Sequence, residues 1–261
     1  MSNKVNAPAS GTQSIERAVR ILKELATFGP AGTSVPRLVP QTKLEYPTVY
    51  RILQCLVKEG LVYRDQRTRR YSLGSLICEL GLSAPPQMNL RDLCAPISLR
   101  IAEKTGDTVF LNVRSGLDAL CIDRREGSFP IKTLIFEIGH RRPLGIGAGG
   151  LALLMSLPPH EVEEIIHANA PRLYQTGNIT ARKILDKVNR ARETGYAVVE
   201  DAVVKGVTVI SLPFGAPNAI PSAAISVATV VSRMPPSRQK DVISLLRYEV
   251  GELAGLLGSA T

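Results

Sequence analysis

SIERAVRILKELATFGPAGTSVPRLVPQTKLEYPTVYRILQCLVKEGLVYRDQRTRRYSLG, residues Ser14 to Gly74, decides how the rest of the chain is read. Ser14 is a good helix N-cap and Arg17 follows close behind. Ile15, Ala18, Val19, Ile21, Leu22 and Leu25 recur at helical spacing until Phe28-Gly29-Pro30 ends the run. Gly32-Thr33-Ser34 restarts the chain. Val35, Leu38 and Val39 then outline a short second helix, with Pro36 in its first turn, where the missing N–H has no helical partner to lose. Gln41 to Leu44 reads as a turn, and a third helix runs from about Glu45 to Glu59. Its inner stripe is Val49, Ile52, Leu53, Leu56 and Val57, which leaves Tyr46, Thr48, Tyr50, Arg51 and Gln54 facing elsewhere. Leu61-Val62-Tyr63 and Tyr71-Ser72-Leu73 alternate as two strands around Arg64-Asp65-Gln66-Arg67-Thr68-Arg69-Arg70.

Three helices followed by an arginine-rich hairpin outline a winged helix-turn-helix, a module that holds a helix in a DNA groove. Arg64, Arg67, Arg69 and Arg70 on one hairpin repel each other unless an anion offsets them, and the guanidinium fork suits phosphate oxygens. Taken alone, the run reads equally well as a solvated hairpin tip. Placed directly after an amphipathic third helix, it reads as a wing resting on the nucleic-acid backbone. The candidate DNA-binding residues are therefore Thr48, Tyr50 and Arg51 on the third helix, Ser14 and Arg17 at the start of the first, and the four wing arginines.

Composition agrees. The chain has 261 residues and a net charge of +9, and residues 1–83 hold 12 Lys/Arg against 6 Asp/Glu. The basic excess thus sits mainly in the smaller piece, as expected of the piece that meets a polyanion. No run of about 18 apolar residues marks a membrane span. Met1 to Gln13 lacks an apolar core segment and reads as a loose tail, not a secretory signal. The four cysteines form no CxxC pair and the three histidines no metal spacing, so neither a metal nor another cofactor is expected, and a reducing cytoplasm fits best.

The expected domains are a tail at 1–13, the winged module at 14–74, a linker helix and joint at 75–88, and a larger domain at 89–258. Ser75 to Ser83 is apolar nearly all round and needs cover, from its own domain or from a second copy of the chain. Beyond it, helices are expected at Leu90–Thr105, Leu151–Leu157, Pro159–Ala168, Ala181–Thr194 and Ser237–Leu257. Strands are expected at Thr108–Arg114, Leu120–Arg125, Ile131–Ile138, Val207–Phe214 and Ala223–Val231. Hairpin strands followed by helices argue for an antiparallel sheet with helices to one side, an α+β fold. Gly145-Ile146-Gly147-Ala148-Gly149-Gly150 matches GxGxxG, but the preceding residues are too polar and proline-broken for a buried parallel strand. A glycine-rich loop entering a helix remains, and its N–H groups suit a carboxylate or phosphate, with Arg141 and Arg142 just before it. Cys121, Asp123 and His140 can be imagined as a thiol, an orienting acid and a base, yet nothing in the spacing brings them together.

Three segments resemble the IclR family of transcriptional regulators: Ser14-Ile15-Glu16-Arg17-Ala18, Thr48-Val49-Tyr50-Arg51-Ile52-Leu53 and Arg70-Tyr71-Ser72-Leu73-Gly74. The likeness runs through nearly the whole chain after residue 13. It departs at Pro47, where the family usually carries a small polar residue. The resemblance implies a GAF-like effector domain, a homodimer or dimer of dimers, double-stranded DNA with a palindromic operator as partner, and no membrane. It also implies a small effector held between the glycine-rich segment and the last two strands. Carried over position by position, Ala148 and Gly149 supply backbone contacts. Val199 and Val209 stand where acid-sensing relatives place an aspartate and a cysteine, and Ser226 and Ala228 stand where they place two serines. A pocket lined by Val199, Val209 and Ala228 favours apolar area, so the expected effector has an aromatic or otherwise apolar body, with an anionic group facing Ala148, Gly149 and the arginines. A DNA-binding oligomer without an effector, and a small-molecule enzyme, are the alternatives.

Overall fold

The computed structural model describes residues 12–83, 90–177, 179–201, 204–215 and 223–258. The expected N-terminal tail up to residue 11 and the break at Ala84-Pro85-Pro86 lie outside these. The chain divides into two compact units, Met1–Gln87 and Met88–Thr261.

In the first unit, α1 (Gln13–Thr27), α2 (Val35–Thr42) and α3 (Tyr46–Lys58) pack around Ile21, Leu25, Val35, Leu38, Val49, Leu53 and Leu56. Strands β1 (Val62–Arg64) and β2 (Tyr71–Leu73) form an antiparallel hairpin whose Val62 and Tyr71 close the same core. Thr33 extends this hairpin by a backbone bridge to Tyr71, with both N–H···O distances 2.8 Å. Gly32 makes the bridge possible, since it sits at φ +58 and a Cβ there would lie 2.5 Å from the Tyr71 carbonyl oxygen. Two expectations for α1 are corrected. Ser14 is not the N-cap: the helix starts at Gln13, Thr12 takes that position without a side-chain cap bond, and Ser14 lies exposed in the first turn. Ile15 and Val19 leave the inner stripe and are exposed, because α2 and α3 cover only the stripe of Ile21 and Leu25. Helix α4 (Ser75–Ser83) follows, with Leu80 and Leu82 exposed.

The second unit is built on a six-stranded sheet. Its elements in chain order are α5 (Leu90–Thr105), β3 (Thr108–Ser115), β4 (Asp118–Glu126), β5 (Arg141–Pro143), α6 (Gly147–Met155), α7 (Pro159–Gly177), α8 (Ala181–Thr194), β6 (Ala197–Glu200), β7 (Val207–Phe214), β8 (Ala223–Val230) and α9 (Pro236–Gly258). The sheet order is β5-β4-β3-β8-β7-β6, with every neighbouring pair antiparallel. Side chains alternate between its two faces. Val109, Leu111, Val113, Ile210, Leu212, Ile225 and Val227 pack against α5 and α9. Residues of the opposite register, Ala119, Ala197, Val199 and Ala224, share a core with α6, α7 and α8.

Helices therefore cover both faces, where the sequence suggested one. The central strands are apolar at consecutive positions, so each face must be shielded from water. Strand β6 was not expected, and three further segments differ from expectation. Ile131–Ile138 is not a strand: Ile131, Leu134 and Ile138 are exposed while Thr133 and Phe136 are buried, a spacing no two-sided strand can serve. The edge of β4 is instead taken by β5 and by His140, whose carbonyl accepts from Cys121 N–H. Only Gly145 and Ile146 of the glycine-rich run form a loop, because α6 already begins at Gly147. Helix α7 continues through Pro171, held by buried Leu173, by Asn169 donating to the Leu117 carbonyl and by Arg172 pairing with Asp118 at 2.7 Å.

Candidate functional site

Two surfaces carry the candidate residues, one in each unit. In the first, α3 buries Val49, Leu53 and Leu56 and turns Tyr46, Tyr50 and Arg51 to solvent, with Thr48 half-buried between them. The Tyr46 and Tyr50 rings lie parallel, 6.4 Å apart, as residues one helical turn apart can. Gln54 does not face outward: it donates to the Tyr71 hydroxyl at 3.2 Å and so joins α3 to β2. Burial raises the Tyr71 hydroxyl above its ordinary pKa, which keeps it protonated.

The hairpin tip is organised by its one acid. The Asp65 carboxylate accepts the Thr68 N–H at 2.6 Å, and that bond holds the carboxyl below its ordinary value. Arg69 sits in the left-handed region at φ +56, and its N–H donates to the Asp65 carbonyl. With Asp65 turned onto the backbone, Arg67, Arg69 and Arg70 stand exposed, and among the described residues none of them makes an ion pair. Arg64 stacks 5.7 Å from the centre of the Tyr71 ring, and its buried Nε has no partner in the chain. Arg17 is partly buried on α1. The result is a half-embedded helix beside a tip of unneutralised guanidiniums, an arrangement that can take up phosphates.

In the second unit, the sheet face under α6 opens into a cavity of about 50 Å³. Ala148, Gly149, Val199, Val209 and Ser226 line it, so five of the six residues singled out from sequence converge there. Ala228 does not line it. It is fully buried behind the wall with Phe110, Cys121 and Phe136. The other lining side chains include Phe110, Ile135, Phe136, Ile146, Val204 and Val207, so the lining is mostly apolar. The first turn of α6 contributes Gly147, Ala148 and Gly149, at positions whose N–H groups have no acceptor within a helix and carry the positive end of its dipole.

Arg142 also lines this cavity, whereas Arg141 bonds the Ser115 hydroxyl at 2.6 Å. The Arg142 guanidinium donates to the Ile135 carbonyl and lies 4.5 Å from the centre of the Phe136 ring. Burial pulls it below its ordinary pKa. The buried acids of this unit each hold a base: Asp107 holds Arg233 and Arg238, Asp123 holds Arg125, and Glu249 holds Arg100 and Lys104. Among the described residues Arg142 has no acid, so its charge is desolvated without an offset.

Sequence reasoning did not single out Asn112, Ser211, Phe110 or Phe136. Asn112 is a polar residue inside the apolar run Val109-Phe110-Leu111-Asn112-Val113, which was the available signal. Asn112 Nδ2 donates to Ser226 Oγ at 3.5 Å, Ser226 Oγ donates to Ser211 Oγ at 2.9 Å, and Ser211 Oγ donates to the Ile225 carbonyl at 3.2 Å. The imagined thiol, acid and base are otherwise engaged. Burial pushes the Cys121 thiol up to about 12 and Asp123 is held by Arg125, while His140 faces Glu137 at 3.8 Å. Among the described residues no group of three or more His, Cys, Asp or Glu could hold a metal, and no helix is long and apolar enough to cross a membrane.

Comparison with known proteins agrees with this layout. Residues 14–66 match the IclR helix-turn-helix domain, and residues 83–253 match the bacterial transcriptional regulator IclR C-terminal domain. The HTH-type transcriptional repressor AllR of Salmonella typhi is 26% identical over 249 residues, covering 95% of this chain and 91% of that protein. The crystal structure of an IclR transcriptional regulator from Alicyclobacillus acidocaldarius shares the fold with a TM-score of 0.73 at 21% identity, covering 93% of this chain and 97% of that one. An IclR homologue from Microbacterium hydrocarbonoxydans, solved in complex with 4-hydroxybenzoate, gives 0.72 at 20% identity over 94% and 99% of the two chains. With a DNA-binding module and a ligand-binding unit in this order, and with most of its length matched, the chain belongs to the IclR family of bacterial transcriptional regulators.

Proposed function

We propose that this regulator senses an organic anion with an apolar, ring-sized body, and that the anion sets its affinity for DNA. The observation that carries the reading is Arg142, a guanidinium without an acid partner on the wall of an otherwise apolar cavity. A bound carboxylate offsets that charge and reaches the free N–H groups at the start of α6. Phe110, Phe136, Ile146, Val199 and Val209 then cover the body of the ligand. The complex of the Microbacterium homologue with 4-hydroxybenzoate fits a ligand of this kind. The cavity of about 50 Å³ is smaller than the ~150 Å³ apolar cavity that admits benzene, so a ring-bearing ligand moves the wall outward on entry.

On the DNA side, Thr48, Tyr50 and Arg51 read the groove and its flanking phosphates, while Arg64, Arg67, Arg69 and Arg70 hold backbone; Arg17 adds a phosphate contact. Ser14, exposed in the first turn, is available as a further contact. The protein acts in the cytoplasm as a homodimer or dimer of dimers on a palindromic operator, with exposed Leu80 and Leu82 of α4 as part of the contact between copies. It regulates and does not catalyse, in keeping with a buried, protonated Cys121.

Calorimetric titration of the whole protein with benzoate, phenylacetate, glyoxylate and pyruvate tests the effector class. Binding of the aromatic acids, and a change in operator affinity when they bind, is expected. Tight binding of glyoxylate with none of the ring-bearing acids would reject the proposal.

A further inference from the structure

The polar corner of the cavity has a direction. The Ile225 carbonyl can only accept, so Ser211 gives it a proton at 3.2 Å. Ser211 Oγ then accepts from Ser226 at 2.9 Å, and Ser226 Oγ accepts from Asn112 Nδ2 at 3.5 Å. A hydroxyl has one proton to give, so each step fixes the next. The relay ends at Asn112 Oδ1, which is buried and has no partner. Asn112 is 3% exposed, lines the cavity, and sits where β4 bulges against β3 between Leu111 and Asn112. Bulges beside sites re-aim side chains. Gly149 leaves room for this amide, because a Cβ there would come within 2.7 Å of Asn112 Nδ2.

We infer that Asn112 is a specificity-determining residue that demands a hydrogen-bond donor from the effector. The effector class is then an acid with an apolar body that also carries a hydroxyl or N–H group, such as a phenolic acid. A ligand without the donor leaves Oδ1 buried and unpaired, which is a larger loss than a missing contact in water. A ligand with a bare acceptor at that point meets oxygen with oxygen. This inference rests on the reading of the cavity as the effector site.

The test uses the full chain and calorimetric titration with benzoate, the 3- and 4-hydroxybenzoates, the matching methoxybenzoates, and phenol. At one ring position the hydroxy acid is expected to bind at least about tenfold more tightly than its methoxy partner and than benzoate, the usual size of a buried hydrogen bond. Asn112→Leu, which keeps the branched shape and removes both the acceptor and the amide donor to Ser226, is expected to abolish the discrimination and to bring benzoate up towards the hydroxy acids, since no oxygen is then left unpaired. Ser226→Ala keeps the amide but frees it to turn over, and is expected to weaken the preference for a donor without loss of the fold. Equal affinity for the hydroxy and methoxy acids, a preference for the methoxy acid, or discrimination that survives Asn112→Leu would overturn the inference. Acids that bind regardless of the hydroxyl leave the acid reading standing and remove this one. Phenol binding that depends on Asn112, with benzoate inert, does the reverse. Binding of none of these compounds overturns both.

Discussion

Arg142 and the wing arginines show the same side chain in two physical settings. On the wing the guanidiniums of Arg67, Arg69 and Arg70 are exposed, so each is worth little until a phosphate arrives and counterions are released. Arg67→Ala with Arg69→Ala is expected to weaken binding to all duplex sequences alike and to flatten the slope of log K against log salt by about 0.9 per lost contact. Gel-shift titrations over a salt series check this, and an unchanged slope removes the wing from the interface. In the cavity the guanidinium is desolvated and stacked on Phe136, so one charge–carboxylate contact weighs more. Arg142→Met keeps much of the apolar stem and removes the charge. It is expected to weaken benzoate binding by about ten- to a hundredfold, the cost of a charge-assisted hydrogen bond, with little effect on phenol.

At the scale of elements, two joints are testable. The wing is pinned by the Thr33–Tyr71 bridge, which depends on Gly32. Gly29 provides an internal control: it has nearly the same backbone angle, φ +56, but nothing lies within 4 Å of a Cβ placed there. Gly29→Ala is expected to cost about 1 kcal/mol from backbone strain alone. Gly32→Ala adds a clash with the Tyr71 carbonyl and is expected to cost clearly more and to reduce DNA affinity as the wing shifts. Thermal melts with DNA titrations separate the two variants.

The second joint clasps α5 to α9. The Glu249 carboxylate is fully buried, with Arg100 at 2.6 Å and Lys104 at 3.2 Å. Burial alone would raise its pKa, but the hydrogen bonds from Arg100 and Lys104 outweigh it and the carboxyl lies below its ordinary 4.5. A carboxylate lowered in this way contributes stability above about pH 4.5 and loses it as pH falls through the folded-state value. Because Arg100 and Lys104 are about half exposed, the contribution is put at about 1–2 kcal/mol, between a surface pair and a buried one. Glu249→Gln is expected to lower the neutral-pH melting temperature and to flatten its decline below pH 4.5.

For the whole molecule, an effector at about one hundred times its Kd stabilises the folded state by about 2.7 kcal/mol. In a chain of two compact units, that shift belongs to the melting transition of the larger one. A coupling of about 1–3 kcal/mol between effector and operator changes DNA affinity by about five- to 150-fold. Two copies on one duplex are expected to protect half-sites about 34–36 Å apart, or a multiple of that spacing. A footprint of a single half-site would count against the dimeric reading.

How much of this was legible in the sequence depends on the range of the interactions concerned. Periodicity is a local property, so α3, α4, α5, α8, β7 and β8 could be placed within a residue or two from apolar spacing alone. The arginine hairpin was legible for the same reason, since its charge lies in seven consecutive residues. Ile131–Ile138 was misread because its alternation competes with a neighbouring strand edge that local pattern cannot see. Ser14 was misread because a capping residue depends on where the first turn actually closes. Val199, Val209 and Ser226 were picked out by resemblance, but their meeting with Phe110, Asn112 and Phe136 was not visible, because those positions lie about sixty to nearly a hundred and twenty residues apart in the chain. By itself the sequence determined a DNA-binding module and a second, α+β unit, and the resemblance it carries pointed to apolar side chains at the proposed effector site. The tertiary structure alone decided which arginine loses its water without gaining an acid, and in which direction the Asn112 relay points. Desolvation and hydrogen-bond polarity depend on what is packed around a group from distant strands, and no window of sequence contains that.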